Sequence, residues 1–280
     1  MQTLKHFILG FALISLVFLD GCNESPKTSD NTNTDTSAVA KNDAPIGPVY
    51  DPAIDLSVVG GDFTKKLSDT LGIKMFEVTL KPGDSLPFHS DPDHTFYLLD
   101  TSTSLFYILG QNKGDTLSGP PWSPGLAFIN GPFTEAFKNI GKTPLRWLKI
   151  DVHRPRDIEL PSKPAYDSAT DAFTLGGASI QQLADTLGIK MFIATMKPGD
   201  SATLHSHPDH AVYVLQGGEL AVTFQGGARQ IMKFENGMGF VGGPLSDAAK
   251  NTGKTTIKLL MTHFYRPRDK YTSPTEPIKY

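Results

Sequence analysis

Three of the eight histidines lie within six residues, at positions 205, 207 and 210. Residues two apart in a β-strand share a face, so His205 and His207 are expected to point to the same side. His210 has the opposite parity, but the intervening Pro208-Asp209 is a turn sequence, and a chain that reverses there returns His210 towards the other two. Three converging neutral imidazoles are suitable ligands for a first-row transition metal. The sequence therefore predicts a metal site at this turn.

The segment with the histidines belongs to a unit that occurs twice. The sequence DTLGIKMF occupies residues 69–76 and recurs 116 residues later, at 185–192. Nearer the end of the unit, RPRD at 154–157 recurs at 266–269 with an offset of 112, because the first copy has four extra residues. Each copy has the size of an independent domain. Chance similarity does not explain this degree of repetition.

Turn sequences divide the second copy at intervals of eight to twelve residues, and the runs between them are rich in β-branched, aromatic and aliphatic residues. The 26 Gly and 21 Pro, with only 20% charged residues, also favour strands and tight turns. The sequence thus predicts an all-β protein with two tandem domains, at residues 50–160 and 165–270. One exception is the segment 180–187 (IQQLADTL), for which one or two helical turns are expected.

The histidine segment resembles the first motif of the cupin superfamily, the double-stranded β-helix family. That motif is written as Gly, five residues, His-x-His, three or four residues, Glu, six residues, Gly. Gly199, His205, His207 and Gly217 keep the spacing, and His210 takes the position of the Glu.

The second cupin motif is less well matched. Residues 242–251 keep its Asn, but Asp247 stands where the family has its fourth ligand, a His. The resemblance implies three imidazoles and one carboxylate, with two positions exchanged, and a carboxylate lowers the net charge of a bound divalent ion. The implied ligands are His205, His207, His210 and Asp247.

The first copy has equivalents of all four residues, at His89, Asp91, His94 and Glu135. Two imidazoles and two carboxylates could hold a metal more weakly, with a preference for harder ions. The alternative is that the first copy is a structural partner with a vestigial polar pocket. Across residues 50–269 the resemblance implies two tandem, jelly-roll-like cupin barrels, a bicupin, with a divalent transition metal such as Fe, Mn, Ni or Zn.

The chain begins with a segment typical of protein export. An apolar run at 7–19 follows Lys5 and is too short to span a membrane comfortably. Leu19-Asp20-Gly21-Cys22 resembles the lipobox of bacterial lipoproteins, although Asp20 departs from it. The resemblance implies a signal peptide at 1–21 and lipidation of Cys22. An ordinary signal peptide with an unused cysteine and an uncleaved anchor are the alternatives.

The residues after Cys22 are almost all polar or small up to position 49, and they are predicted to form a flexible stalk over 22–49. The expected location is the bacterial cell envelope, where a lipid anchor would attach the protein to a membrane with its body facing the periplasm or the exterior. The balance of 26 basic against 29 acidic residues argues against a nucleic-acid partner. The single Cys excludes an internal disulfide.

The resemblance does not select one activity, because cupins carry many chemistries. Two functions are expected to compete: a metal-dependent enzyme, with an Fe-dependent dioxygenase as the leading example, and a non-catalytic lipoprotein that binds or senses a small ligand. Both imply a small-molecule partner. His153 and His263, near the ends of the final strands, are interpreted as structural. The RPRD sequences are interpreted as packing or interface salt bridges, with a clamp for a substrate anion as the alternative.

Overall fold

The computed structural model describes residues 50–100, 105–107, 116–118, 122–154, 168–176, 179–266 and 268. The predicted signal peptide, Cys22 and the predicted stalk lie outside these residues, as does the segment 161–164 between the two predicted domains. No helix in the described part of the chain has the length and apolar character needed to cross a membrane.

The strands of the first repeat form two antiparallel sheets. They are β1 (Thr64–Thr70), β2 (Ile73–Leu80), β3 (Ser85–Asp91), β4 (Asp93–Leu98), β5 (Leu105–Tyr107), β6 (Thr116–Ser118), β7 (Ala127–Asn130), β8 (Phe133–Lys138) and β9 (Leu145–Val152). The five-stranded sheet has the order β1-β2-β9-β4-β7, and the four-stranded sheet has the order β3-β8-β5-β6. Short helices precede β1: two 3-10 turns (Pro52–Ile54 and Gly61–Phe63) and α1 (Leu56–Val59).

The second repeat has the same arrangement. Its strands are β10 (Ile180–Thr186), β11 (Ile189–Met196), β12 (Ser201–His207), β13 (Asp209–Gln216), β14 (Gly218–Phe224), β15 (Arg229–Phe234), β16 (Gly239–Gly242), β17 (Leu245–Asn251) and β18 (Ile257–Phe264). They form the sheets β10-β11-β18-β13-β16 and β12-β17-β14-β15, preceded by a 3-10 turn (Ser168–Thr170) and α2 (Ala172–Leu175). The predicted all-β fold is confirmed, and within it each repeat is a pair of facing sheets.

The expected helical turns at residues 180–187 are wrong. This segment is strand β10, which pairs antiparallel with β11 and has a β-bulge between Gln182 and Ala184. The bulge shifts the alternation of faces by one residue. Ile180 packs in the interior of the second repeat and Leu183 packs against the core between the repeats, so both faces of this strand are partly apolar.

The two repeats share a core between their five-stranded sheets. Met75 of β2 and Ile150 of β9 belong to the same buried cluster as Met191 of β11 and Leu260 of β18. Alternate residues of these strands face the other way, into the space between the two sheets of their own repeat. Lys149, next to Ile150, therefore faces the interior of the first repeat.

The first arginine of each RPRD sequence contacts the other repeat, which agrees with the prediction of interface salt bridges. Arg154 of the first repeat contacts Asp209 of the second, with Nη2 2.9 Å from Oδ2. Reciprocally, Nη1 of Arg266 donates to Asp93 of the first repeat. Both arginines are buried, and a buried charge needs a partner. In each case the other repeat supplies the carboxylate that neutralises it.

Candidate metal centre

Four predicted ligands of the second repeat come from three strands. His205 and His207 lie on β12, His210 lies near the start of β13, and Asp247 lies on β17. The β12–β17 pairing places Asp247 directly opposite His205. Only Pro208 separates β12 from β13, so the chain changes sheets there and returns His210 beside His207.

The side chains converge around the carboxylate. Oδ1 of Asp247 lies 3.2 Å from Nε2 of His207 and 3.4 Å from Nε2 of His205. Ligand atoms of these three residues all lie within 4.8 Å of one another. The imidazole of His210 is adjacent, with its centroid 5.1 Å from that of His207, but His210 is outside this closest group.

Backbone carbonyls orient two of the imidazoles. Nδ1 of His205 lies 2.7 Å from the carbonyl oxygen of Thr203, and Nδ1 of His210 lies 2.9 Å from that of Pro208. A carbonyl can only accept, so Nδ1 carries the proton and donates it. Nε2 of each ring is then the nitrogen with the lone pair that a metal requires.

His207 is oriented by a residue that sequence reasoning interpreted only as structural. Its Nδ1 lies 3.1 Å from Nε2 of His263, which is fully buried on β18. Nδ1 of His263 lies 3.6 Å from a carboxylate oxygen of Asp171. Asp171, His263 and His207 thus form a chain that ends at the site. The signal in the sequence was weak, because it depends on β18 lying beside β13, where His263 is opposite His210.

The site favours neutral imidazoles. Burial lowers the pKa of His207, and the neighbouring His263 lowers it further, against the opposing effect of Asp247. Burial, with the neighbouring His207, lowers the pKa of His210 to about 4. Neutral rings are the form in which histidine binds metals.

The residues present fit a divalent transition metal. Oδ1 of Asp247 is buried and receives no well-directed hydrogen bond from the described residues, which is a costly position for a carboxylate that has no cation beside it. Nitrogen donors with one carboxylate suit iron, manganese, nickel or zinc. These donor atoms do not favour one of the four metals over the others.

The four residues line a cavity of about 530 Å³ in the interior of the second repeat. Most of the cavity wall is apolar and comes from both sheets, for example Phe192 of β11, Val222 of β14 and Leu259 of β18. Among the described residues of the wall there is no Lys or Arg. A metal held by the predicted ligands would face this cavity.

Three positions on the cavity wall hold smaller side chains than the equivalent positions of the first repeat. The equivalent pairs, first repeat before second, are Phe96 and Val212, Phe137 and Ala249, and Trp147 and Leu259. Aromatic rings fill the first interior: Phe96 stacks on Phe128 with centroids 4.7 Å apart, and Trp147 is 1% exposed. The two repeats therefore have the same fold, but aromatic rings occupy the interior of the first and a cavity occupies the interior of the second.

The predicted weaker site is also assembled, with an additional charge. Nε2 of His89 lies 3.7 Å from Asp91 and 3.9 Å from Glu135, and the ligand atoms of these residues fall within 4.8 Å of one another. His94 is buried nearby, with Nδ1 2.9 Å from the carbonyl oxygen of Pro92. The ammonium of Lys149 forms an ion pair with Asp91. Metal binding at this site stays a prediction.

The fold and the site define an all-β protein of two similar repeats, each a pair of facing antiparallel sheets, with a candidate metal centre on the wall of the second interior. No family model and no curated protein matches the sequence. Among solved structures, the protein is similar to AerE from Microcystis aeruginosa, with 14% identity, a TM-score of 0.50, and coverage of 69% of this chain and 88% of AerE. It is also similar to a mutant of salicylate 1,2-dioxygenase from Pseudoaminobacter salicylatoxidans, with 12% identity, a TM-score of 0.50, and coverage of 75% and 78%. At these identities the likeness shows the fold.

Proposed function

We propose that the protein is a metal-dependent enzyme that oxidises a small organic molecule in the cavity of the second repeat, with iron as the metal and molecular oxygen as co-substrate. The observation that carries the proposal is the position of the donor set. His205, His207 and Asp247 lie on the wall of a mostly apolar cavity large enough for a small organic molecule. Iron supplies the redox chemistry that dioxygen activation requires.

The cavity wall supports a substrate with an apolar body and a single oxygen group that binds the metal. Burying a carboxylate without a cation is costly, and the described wall offers no Lys or Arg. A divalent metal beside Asp247 keeps one net positive charge, which can neutralise one anionic group such as a phenolate or enolate. A second anionic group on the substrate would have no partner.

Residues of the protein orient the metal ligands and surround the substrate. His263 holds the ring of His207, and carbonyls hold His205 and His210, so the donor nitrogens are positioned before the metal arrives. The apolar wall, including Phe192 and Leu259, excludes water from the substrate.

One observation favours the second candidate, a non-catalytic lipoprotein that binds a small ligand. Apart from the four predicted ligands, the only titratable side chain among the described wall residues is that of Asp200. This carboxylate accepts a hydrogen bond at 2.8 Å from the backbone N–H of Lys197 in its own turn. A reaction that needs a separate general acid or base would find none there.

Oxygen consumption separates the two candidates. Protein loaded with Fe(II) is expected to consume oxygen with at least one neutral phenol, catechol or enolisable dione, while protein loaded with Zn(II) is not. Salicylate and gentisate serve as matched carboxylate counterparts and are expected to be poorer substrates. Oxygen uptake is measured at an electrode, with Fe(II) in buffer as the blank. Equal rates for the iron and zinc forms across the panel would favour the binding lipoprotein.

We also propose that Cys22 anchors the protein to a membrane of a bacterial cell envelope, a hypothesis supported by the lipobox-like sequence before it. Cys22→Ser removes the only thiol of the chain, and therefore the only sulfur that could carry a thioether-linked lipid. We expect the variant to leave the membrane fraction or to remain unprocessed. Fractionation without detergent and an immunoblot measure this, and Ser25→Ala is the control. Equal membrane association of variant and wild type would contradict the proposal.

A further inference from the structure

The interior of the first repeat contains a lysine where the second repeat has a methionine. Lys149 of β9 lies opposite Phe76 and Phe96 in the strand pairings, and Met261 of β18 lies opposite the equivalent residues of the second repeat. Both side chains point between the sheets of their own repeat. Met261 lines the cavity of the second repeat, so Lys149 points into the equivalent region of the first.

The ammonium of Lys149 lies among carboxylates. It forms an ion pair with Asp91, and Nζ lies 3.8 Å from Oδ1 of Asp151. The Lys149 side chain is only 3% exposed. Asp91 is the residue that corresponds to His207, a predicted metal ligand of the second repeat.

Burial alone would lower the pKa of Lys149, but the carboxylates of Asp151, Asp91 and Glu135 outweigh it, and the net effect raises the pKa. A lysine that forms an ion pair with a buried carboxylate, as Lys149 does with Asp91, is charged at neutral pH. The carboxylate of Asp91 is fully removed from water and needs a nearby cation.

We propose that the ammonium of Lys149 is the resident cation of the cluster formed by His89, Asp91, His94 and Glu135, and that the first repeat consequently binds no transition metal. A metal held by this cluster would share Asp91 with the ammonium. Two cations beside one buried carboxylate repel each other strongly, because the screening by water is weak there. The donor set resembles a metal site, but the lysine already neutralises it.

This assignment gives the repeats different roles. The first repeat has a covalently attached cation and an interior filled by aromatic rings, so its stability is independent of metal supply. The second repeat has neutral Met261 in place of the lysine and an open cavity. Only the second repeat can gain stability when it binds a metal.

Lys149→Met, which copies the second repeat, tests the inference. We expect the variant to bind one more equivalent of Mn(II) or Zn(II) per chain than the wild type, because Asp91 and Glu135 lose their internal cation. Its melting temperature is expected to fall in the presence of a chelator and to recover when the metal is added. Lys66→Met is the control, since Lys66 pairs with Asp69 at the surface and its loss should change neither quantity.

Metal content is measured by elemental analysis after equilibrium dialysis, as the difference between variant and wild type, so the result does not depend on whether the second repeat binds metal. A folded Lys149→Met protein with no additional equivalent would overturn the inference. Should this variant not fold, the His205→Ala, His207→Ala double variant decides instead. It retains the first cluster intact and is expected to bind no metal, whereas one retained equivalent would show that Lys149 does not exclude the ion.

Discussion

Replacing His205 and His207 together by alanine is expected to reduce the tightly bound metal from about one equivalent per chain to none. The change removes two nitrogen donors and leaves Asp247 and the neighbouring His210, which is too few for a tight transition-metal site. Loss of a residue that only orients a ligand typically weakens metal affinity about 10- to 100-fold, and loss of two ligands should exceed that range. Elemental analysis after dialysis gives the content, and titration with Zn(II) gives the affinity.

His263→Ala provides an intermediate case, because it keeps every predicted ligand but removes the partner of Nδ1 of His207. Weakening within the about 10- to 100-fold range would identify His263 as a positioning residue. Lys66→Ala at the surface of the first repeat is the control, and it is expected to leave the metal content unchanged. A folded double variant with undiminished metal content would remove the central argument for a metal centre.

The positions of the histidines could be predicted because they depend only on a short segment of the sequence. Residue parity in β12 and the turn at Pro208 need no knowledge of distant strands. Asp247 required a resemblance, since it meets His205 only through the pairing of β12 with β17. His263 could not be assigned a role, because its contact with His207 crosses 56 residues and depends on which strands are neighbours in the sheet.

Lys149 shows a different limit of sequence reasoning. Alignment of the repeats shows that Lys149 is the equivalent of Met261. However, β9 is buried on both faces, with Ile150 in the core between the repeats and Trp147 in the interior of its own repeat. A strand buried on both faces does not reveal which residues point into a site. The cavity could not be predicted either. It results from differences in side-chain volume between the two interiors, and the depth of each interior is known only once the sheets are assembled.

The cavity leads to the second prediction with a large effect, which concerns Ala249. Ala249 lies two residues from Asp247 on the same face of β17 and lines the cavity. Its equivalent in the first repeat is Phe137, whose ring centroid lies 6.0 Å from that of His89. The chain therefore already contains a phenylalanine at this position beside an assembled ligand cluster.

Ala249→Phe should consequently fill part of the cavity without dispersing the metal ligands. We expect the variant to keep the metal content of the wild type and to bind the best neutral phenol or dione at least tenfold more weakly, a loss of about 1.4 kcal/mol or more. Overpacking of a dense core typically costs about 1–3 kcal/mol, but an open cavity can accept the ring at a smaller cost. Isothermal titration and oxygen uptake measure the ligand effects, and thermal unfolding measures the change in stability.

Ala248→Phe is the matched control, because the neighbouring residue of β17 points to the opposite face and receives the same added volume. It should leave ligand affinity and oxygen uptake close to those of the wild type. Unchanged affinity and turnover in a folded Ala249→Phe protein would mean that the substrate does not occupy this cavity, and the proposed enzyme would then lack its binding site. Loss of both metal and ligand would instead show that the wall of the cavity and the metal site cannot be altered separately, because the ring displaces Asp247 from the histidines.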